Sequence, residues 1–164
     1  VTRLQERPLR QPRFLADVHL GKLVRYLRLA GIDTAYSNKA ADAELVERMR
    51  AEDRALLTRD RRLLMRRRVD KGYLVRSDRA DRQLAEVIRR FDLAGALRPY
   101  SRCSHCNTLL EPVSKEAIRH RLEPLTERYY DRFSRCPGCD RIYWSGSHKS
   151  RLPPLVRRLL DGYR

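Results

Sequence analysis

The sequence is a chain of 164 residues in which 37 lysines and arginines outnumber 21 aspartates and glutamates, giving a formal net charge of +16 at pH 7. Hydrophobic residues make up 41% of the chain, enough for the core of one domain or of a domain with a small appendage. No apolar run approaches the roughly 18 residues of a membrane span, and no apolar stretch follows the basic N-terminus as in a secretory signal. We therefore expect a cytoplasmic protein with no membrane association.

The high positive charge favours a polyanionic partner. Cations that neutralise phosphates release condensed counterions, so they bind nucleic acid without reading its sequence. The basic residues are spread through the chain rather than collected in one tail, which predicts that they lie on a folded surface. The alternative is a ribosome-associated or merely soluble basic protein.

Short apolar runs alternate with amphipathic stretches through the first half of the chain. The predicted strands are 13–17, 33–37, 55–58 and 73–76. The predicted helices are one that begins near Leu20 and ends before Gly31, then about 42–52, 61–68 and 80–92. Four strand-helix alternations predict an α/β fold, a doubly wound parallel sheet with helices on both faces.

The alternation stops at Arg98-Pro99, which predicts a division of the chain into units. Residues 1–12 are expected to form a basic leader and 13–98 the α/β domain. Residues 99–150 form a small module that contains all four cysteines. The last unit, 151–164, contains a short helical pattern at 152–160 that is expected to pack on the body.

Two CxxC pairs lie in the module, Cys103 with Cys106 and Cys136 with Cys139. Each CxxC turn directs both sulfurs to one point, and two such turns complete a tetrahedral shell for one structural Zn²⁺. Two disulfides are an alternative that is rare inside cells, and a redox role for one pair leaves the other unexplained. The segment 107–135 exceeds the roughly 15–20 residues between such pairs, so it is predicted to hold its own hairpin or helix near 115–121.

Aromatic and cationic side chains are interleaved in the same module. The rings are Tyr129, Tyr130, Phe133, Tyr143 and Trp144, and the cations are Arg128, Arg132, Arg135 and Arg141. Such rings stack on unpaired bases while cations hold phosphates. The alternative is that the rings fill the core of the module. His148, in the segment WSGSH, is a candidate for contact with a substrate or an ordinary surface histidine.

Aspartates follow three of the predicted strands. Asp17 follows the first, Asp60 the third and Asp78 the fourth, while Asp42 begins the second helix. Because the carboxyl ends of parallel strands share one edge, we expect these carboxylates to converge there. Hard oxygen ligands suit Mg²⁺ or Mn²⁺, which support phosphodiester cleavage. Each aspartate taken alone is equally well explained as a helix N-cap. The remaining aspartates of this half are expected to be surface or capping residues; they are Asp33, Asp53, Asp70, Asp81 and Asp92.

Cations accompany both candidate regions. Lys22, Arg25, Arg59 and Arg61 are predicted to grip an RNA backbone near the carboxylates. In the module, the candidate RNA-binding residues are Arg135, Arg141, Tyr143, Trp144 and His148. No competing catalytic signature is present, since the sequence contains no GxxxxGK, GxSxG or HExxH motif.

Several motifs resemble the Mut-seven C-terminal RNase domain family. They are FLADVHLGKLVRYLRLAGIDT, SNKAADAELVE, ALLTRDRRLL, LVRSD, CSHCN and RCPGCDRIYWSGSHKSR, and the resemblance covers about residues 13–150. It implies a PIN-like nuclease fold with an appended four-cysteine zinc ribbon, and a metal-dependent ribonuclease activity. The acidic set of the family maps onto Asp17, Asp42, Asp60 and Asp78, with Asp81 as an alternative to Asp78. Some relatives carry an N-terminal ubiquitin-like domain.

The sequence therefore predicts an enzyme that cuts structured RNA such as tRNA, with the four-cysteine module as a second RNA clamp. A non-catalytic RNA- or ribosome-binding zinc protein is one alternative. A toxin-like nuclease controlled by a partner protein is another. In the RNA-cutting enzyme Asp17, Asp60 and Asp78, helped by Asp42, are expected to hold one or two Mg²⁺ or Mn²⁺ ions.

Overall fold

The computed structural model describes residues 12–37, 41–66, 69–145 and 152–162. The strands are β1 (Phe14–Ala16), β2 (Thr34–Tyr36), β3 (Ala55–Thr58), β4 (Gly72–Leu74), β5 (Glu111–Val113), β6 (Phe133–Arg135) and β7 (Ile142–Tyr143). The α-helices are α1 (Gly21–Leu29), α2 (Asp42–Ala51), α3 (Arg61–Leu64), α4 (Ala80–Arg90), α5 (Lys115–Ile118), α6 (Pro124–Tyr129) and α7 (Pro154–Asp161). Among these residues, no helix is long and apolar enough to cross a membrane.

The first four strands form one parallel sheet in the order β2-β1-β3-β4. Leu15 of β1 pairs with Ala35 on one side and Leu56 on the other. The chain therefore moves outward in one direction from β1 to β2 and in the other from β3 to β4. This reversal creates a switch point between β1 and β3, where parallel sheets form a crevice at their carboxyl edge.

Helices cover both faces of the sheet, as predicted. On one face Leu23 of α1, Leu84 of α4 and Val156 of α7 pack on Phe14 and Leu57. On the other face the shorter helices α2 and α3 pack on Leu15 and Leu56; their buried residues are Leu45, Val46, Met49 and Leu63. Successive strand residues enter opposite cores because side chains alternate along a strand. Burying both faces explains why these strands are continuously apolar.

The end of α1 follows the prediction closely. Gly31 has φ +86°, the left-handed conformation that glycine adopts without a Cβ penalty. Its N–H donates to Arg28 O at 2.9 Å, and Ile32 N–H donates to Leu27 O at 2.9 Å, the two bonds of a Schellman C-cap. A Cβ at residue 31 would also lie 2.2 Å from Arg98 O. Both the positive φ and this close approach therefore require glycine here.

The third crossover, from β3 through α3 to β4, differs from the prediction. Helix α3 ends at Leu64 rather than near 68, because the chain turns at Met65; residues 67 and 68 lie outside the described part. Strand β4 spans Gly72–Leu74 instead of 73–76. The backbone N–H of Leu56 bonds to Lys71 O, so pairing with β3 begins before the apolar run does. Asp78 therefore lies four residues beyond its strand, in a loop.

The second sheet is antiparallel, with the order β5-β6-β7. The predicted helix near 115–121 is present as α5 and a 3₁₀ turn at Arg119–Arg121, and α6 follows it. Ser114 caps α5 by accepting from Ala117 N–H. Phe133 of β6 is only 5% exposed, which agrees with the core alternative for one of the five rings.

A buried arginine attaches the cysteine module to the parallel sheet. Arg28 of α1 donates to Thr34 O at 2.9 Å and to His105 O at 2.8 Å. Asn107 completes the contact, because its side chain accepts from Thr34 N–H at 3.0 Å and donates to Asp33 Oδ1 at 2.7 Å. The first cysteine turn is thus fastened to the edge strand β2.

Candidate functional site

Asp17 lies at the switch point of the parallel sheet. Its backbone N–H donates to Leu57 O at 3.2 Å, which continues the ladder one residue past β1. Its Oδ1 accepts from His19 N–H at 3.1 Å, so the side chain caps the 3₁₀ turn Val18–Leu20. Only 5% of the residue is exposed. Asp17 therefore does cap a helical turn, and at the same time it holds a buried carboxylate at the crevice.

The hydroxyl of Thr58 links Asp17 to Asp60. Thr58 is fully buried at the end of β3, and its Oγ1 accepts from Asp60 N–H at 2.9 Å. The same hydroxyl donates its proton to Asp17 Oδ2. Asp60 Oδ1 accepts from Arg62 N–H at 2.9 Å and caps α3, while the residue itself is exposed. Two of the predicted metal ligands are thus held in fixed relation by one threonine.

A carboxylate orders the loop that carries Asp78. Glu86 of α4 accepts from Arg76 N–H at 2.9 Å and from the backbone and hydroxyl of Ser77, both at 2.9 Å. Burial opposes ionisation of Glu86, but these bonds prevail and its pKa lies below the usual range. Arg59 Nη1 donates to the carbonyls of Arg76 and Ser77. Arg59 thus ties the end of β3 to the β4–α4 loop.

Asp81 differs from its predicted status as a surface or capping residue. It is only 8% exposed, in the first turn of α4. Its Oδ2 lies 3.1 Å from Arg79 Nη2, and its Oδ1 accepts from Arg82 N–H. Burial and the Asp81 carboxylate together raise the pKa of Tyr26. The same prediction is also wrong for Asp33, which is a half-buried partner of Arg54 at 2.8 Å.

A cavity of about 630 Å³ opens at the carboxyl edge beside these residues. It is lined by His19, Lys22, Tyr26, Asp78 and Asp81. The backbone of His19 binds Asp17, so the cavity adjoins the switch point. The cavity therefore brings both candidates for the fourth-strand carboxylate, Asp78 and Asp81, next to the Asp17 region.

Asp42 and Asp60 lie outside the lining of that cavity. Asp42 is exposed at the first position of α2, and its Oδ2 lies 3.6 Å from Arg66 Nη2. Within the described ranges, the only group of three or more possible metal ligands whose atoms lie within 4.8 Å of one another is the four cysteines. The joint metal site of the aspartates thus stays a prediction.

Three residues of this edge were not assigned from the sequence: His19, Thr58 and, as a buried group, Asp81. Thr58 ends a buried strand two residues before Asp60, and such spacing is a usable signal, because a threonine hydroxyl can accept from the backbone N–H two residues further on. Nothing in the local sequence separates Asp81 from an exposed helix residue. Its burial depends on how α4 packs beside α1.

The four cysteine sulfurs form one cluster. Cys103 Sγ lies 3.6 Å from Cys139 Sγ, and Cys106 Sγ lies 3.2 Å from Cys136 Sγ. All four thiols are free, which excludes the two-disulfide alternative in this structure. Four sulfurs at ~2.3 Å from a Zn²⁺ ion lie about 3.8 Å apart, so the observed spacing is consistent with zinc.

Two equivalent turns build this cluster. The N–H of Asn107 donates to Cys103 O at 2.9 Å, and the N–H of Asp140 donates to Cys136 O at 2.8 Å. Asn107 and Asp140 both have positive φ, 72° and 64°, a conformation that Asn and Asp tolerate better than most residues. Each turn is therefore specified locally by its CxxC sequence and the residue after it.

The pKa values of two facing thiols, Cys106 and Cys136, are shifted in opposite directions. Burial opposes ionisation of Cys106, yet hydrogen bonds from Thr108 and from neighbouring cysteines lower its pKa to about 6. Burial and the adjacent Cys106 sulfur raise the pKa of Cys136 to about 12. Thiolate is the form that binds metal, so Cys106 is the member of this facing pair that ionises more readily.

A cationic cleft of about 900 Å³ lies between α1 and the cysteine module. It contains four of the nine predicted RNA-binding residues; these are Lys22, Arg25, Arg141 and Tyr143. Arg28 and His105 add further donors to its lining. Because Lys22 lines both this cleft and the carboxyl-edge cavity, the two openings are neighbours along α1.

The other predicted RNA-binding residues are dispersed. Arg59 and Arg61 are exposed beside Asp60, and Arg135 lies 3.9 Å from Asp140 on the second sheet. Trp144 is half-buried, with its ring centroid 6.2 Å from that of Phe133. His148 and the leader up to residue 11 lie outside the described residues.

Comparison with known protein families agrees with this arrangement. A family model described as the Mut7-C RNAse domain matches residues 12–156, which include the parallel sheet and both cysteine pairs. Searches of curated proteins and of solved structures found no match to this chain. The resemblance seen in the motifs is confirmed by the family match. The chain belongs to the Mut7-C RNAse domain family, and this membership indicates a nuclease-like function with RNA as substrate.

Proposed function

We propose that this protein is a metal-dependent ribonuclease whose reaction takes place at the carboxyl edge of the parallel sheet. The observation that carries the proposal is the linkage of Asp17 and Asp60 through Thr58 at the switch point. Carboxylate oxygens are the donors that Mg²⁺ and Mn²⁺ prefer, and the strand ends bring Asp17, Asp60 and Asp78 to one edge. Family membership supports the same conclusion.

The chain's own groups have distinct parts in this reaction. Asp17 and Asp60, with Asp78 or Asp81, supply the negative charge that holds a divalent cation. When bound, such a cation activates water and neutralises charge on the transferring phosphoryl group. Thr58 keeps the Asp17 carboxylate oriented, and Glu86 keeps the Asp78 loop in place. Asp42, which is exposed and lies 3.6 Å from Arg66, adds negative charge at the periphery of this site.

The cationic cleft supplies the path for the RNA backbone. Lys22, Arg25 and Arg141 lie along one opening that adjoins the carboxyl edge. A structured RNA such as tRNA is long enough to reach both the carboxyl edge and the cationic cleft. One of its strands would then contact α1 while another part contacts the cysteine module. The free thiols support action in the reducing cytoplasm. The cysteine module thus serves as a second clamp.

The first experiment incubates the purified protein with end-labelled tRNA and Mg²⁺ or Mn²⁺. The key variant is Asp60→Asn, because asparagine still accepts the α3 capping bond but loses the charge that holds the cation. We expect cleavage to fall roughly 100-fold or more, with little change in the Kd for RNA. The matched control is Asp92→Asn, because Asp92 lies just after the C-terminal end of α4, away from the carboxyl-edge cavity. Asparagine tolerates the positive φ of 52° at this position. Equal cleavage by Asp60→Asn and Asp92→Asn would contradict the proposal.

One observation favours the second candidate, a non-catalytic RNA-binding protein. Asp17 and Asp60 both make capping hydrogen bonds, which explains their presence without chemistry. Under this hypothesis RNA binds the cationic cleft and remains intact at all metal concentrations. Binding without cleavage by the wild-type protein would therefore support the second function over the first.

A further inference from the structure

A separate cavity of about 710 Å³ lies on the cysteine module and shares Tyr143 with the cationic cleft. Its apolar lining includes Leu29, Val113, Phe133, Tyr143 and Trp144. The volume falls within the roughly 300–1,000 Å³ of sites that bind small molecules and cofactors. This cavity is called the aromatic pocket below, and none of the four cysteines lines it.

The rings of the aromatic pocket are held in position. Tyr143 Oη lies 2.9 Å from Cys103 Sγ, which anchors the tyrosine to the cysteine cluster. The Trp144 and Phe133 rings are inclined at 55° with centroids 6.2 Å apart, so they pack together without stacking face to face. A ligand that enters therefore meets rings that already have a defined orientation, which lowers the entropic cost of binding.

Three cations and two carboxylates line the pocket; they are Arg102, Lys115 and Arg132, and Glu116 and Asp131. The excess of one positive charge suits a ligand that carries hydrogen-bond acceptors and negative charge. Arg102 lines the pocket, and its Nε is a buried donor with no hydrogen-bond partner among the described residues. Arg132 adds an exposed cation. Lys115 is already engaged by Asp131 at 3.1 Å, so its charge is neutralised. A nucleobase offers acceptors on its edge, and its phosphate offers the charge.

We propose that the aromatic pocket binds one unpaired nucleobase of the RNA, stacked against Trp144, while the adjoining phosphates lie in the cationic cleft. Tyr143 lines both cavities, so a strand in the cleft needs to cross only one side chain to deliver a base. The cations of the cleft and the net charge of +16 favour this occupant over an apolar peptide. The proposal rests on the proposed function for the identity of the polymer.

The experiment uses the intrinsic fluorescence of Trp144, which is the only tryptophan in the sequence. The wild-type zinc-loaded protein is titrated with each of the four nucleoside monophosphates and with a short single-stranded RNA, without Mg²⁺ or Mn²⁺. Excitation is at the red edge of the indole band, where nucleotides do not absorb. We expect saturable quenching, because a base stacked on indole alters its emission, and tighter binding by the RNA than by any monophosphate. Absence of saturable quenching with every probe overturns the proposal.

A pair of variants separates the pocket from the rest of the protein. Trp144→Ala is expected to weaken RNA binding roughly tenfold by filter binding, the effect of losing one stacked base. Leu125→Ala shortens a side chain of the same module that is 68% exposed and does not line the pocket, and it is expected to change nothing. Zinc content and circular dichroism verify that both variants are folded, and Trp144→Phe tests whether an aromatic ring alone restores binding. Equal RNA affinity for Trp144→Ala and wild type overturns the proposal.

The proposal and the proposed function fail differently. Cleavage of tRNA without quenching removes the base pocket and leaves the nuclease intact. Quenching without cleavage supports the base pocket in an RNA-binding protein. An apolar peptide is titrated in the same way as a further probe. Quenching of Trp144 by this peptide, but not by nucleotides or RNA, overturns the base pocket in favour of a protein partner.

Discussion

The cysteine cluster and the aspartate edge are two sets of candidate metal ligands built in opposite ways. Each cysteine pair sits in one tight turn, and only the meeting of two turns is left to tertiary structure. The aspartates come from separate crossovers and are placed by the order of the strands. The sulfurs consequently lie within 4.8 Å of one another, whereas the carboxylates are held by capping bonds and by Thr58. Ligands that come in pairs from tight turns are already close enough to bind one metal ion. Ligands that come from separate strand ends depend on the order and pairing of the whole sheet for their positions.

The largest expected effect tests whether metal holds the module together. Cys103→Ala removes a fully buried sulfur from the cluster. Because zinc binding contributes about 10–16 kcal/mol in small zinc domains, we expect loss of stoichiometric zinc and unfolding of the module. Zinc release assays and circular dichroism measure this. Asp60→Asn, which keeps its capping bond, is the contrasting control and is expected to leave folding unchanged. If the Cys103→Ala module stays folded without zinc, metal binding does not hold the module together.

A smaller effect tests the hydrogen-bonded group of Asp33, Arg54 and Asn107, which lies where the cysteine module meets the parallel sheet. Burial opposes ionisation of Asp33, but hydrogen bonds from Arg54 and Asn107 hold its pKa below the ordinary value of 3.8. Asp33→Asn removes one of the two carboxylates that pair with the buried Arg54, the other being Glu52, so we expect a loss of about 2 kcal/mol at neutral pH.

The pH dependence of that loss has a definite sign. A carboxylate whose pKa is depressed in the folded state contributes full stability above its unfolded pKa and loses it as the pH falls through the folded pKa. The difference between wild type and Asp33→Asn should therefore be constant above about pH 5 and shrink below 3.8. Urea unfolding at several pH values checks this, and a difference that grows in acid would contradict it.

Arg28 tests whether the two regions are coupled. Arg28→Met keeps the aliphatic length but removes the donors to Thr34, Ser104 and His105. Leaving these carbonyls unpaired should cost about 2 kcal/mol and weaken zinc binding, since the first cysteine turn loses its anchor. Competition with a zinc chelator measures the affinity. The neighbouring Arg25, changed to Met, is the control, and equal zinc affinity in both variants would show that the regions are independent.

The smallest expected effect concerns the orientation of Asp17. Thr58→Val has nearly the same shape but lacks the hydroxyl that joins Asp17 to Asp60 N–H. We expect roughly tenfold slower RNA cleavage and a loss of about 1 kcal/mol in stability. Thr58→Ser should restore most of the rate because it keeps the hydroxyl. If Thr58→Val and Thr58→Ser cleave RNA at the same rate, the hydroxyl has no positioning role.

Much of the fold follows from short-range pattern. The period of the apolar residues predicts α1, α2 and α4, and Gly31 ends α1 as its conformational freedom requires. The CxxC turns are recognisable because their ligands are only three residues apart. The aspartates at strand ends are recognisable because a parallel sheet carries all carboxyl ends to one edge. These features depend on neighbours in sequence, so the sequence suffices.

Other features depended on residues distant in sequence. The burial of Asp81, the use of Arg28 as a link to residues 104 and 105, and the cleft that joins Lys22 to Arg141 all arise from packing between separate elements. The sequence by itself determined which side chains were available: four sulfurs, a row of aspartates and a large excess of cations. Tertiary structure alone decided which of them meet, because the contacts between α1, the sheet and the cysteine module join residues that no local pattern relates.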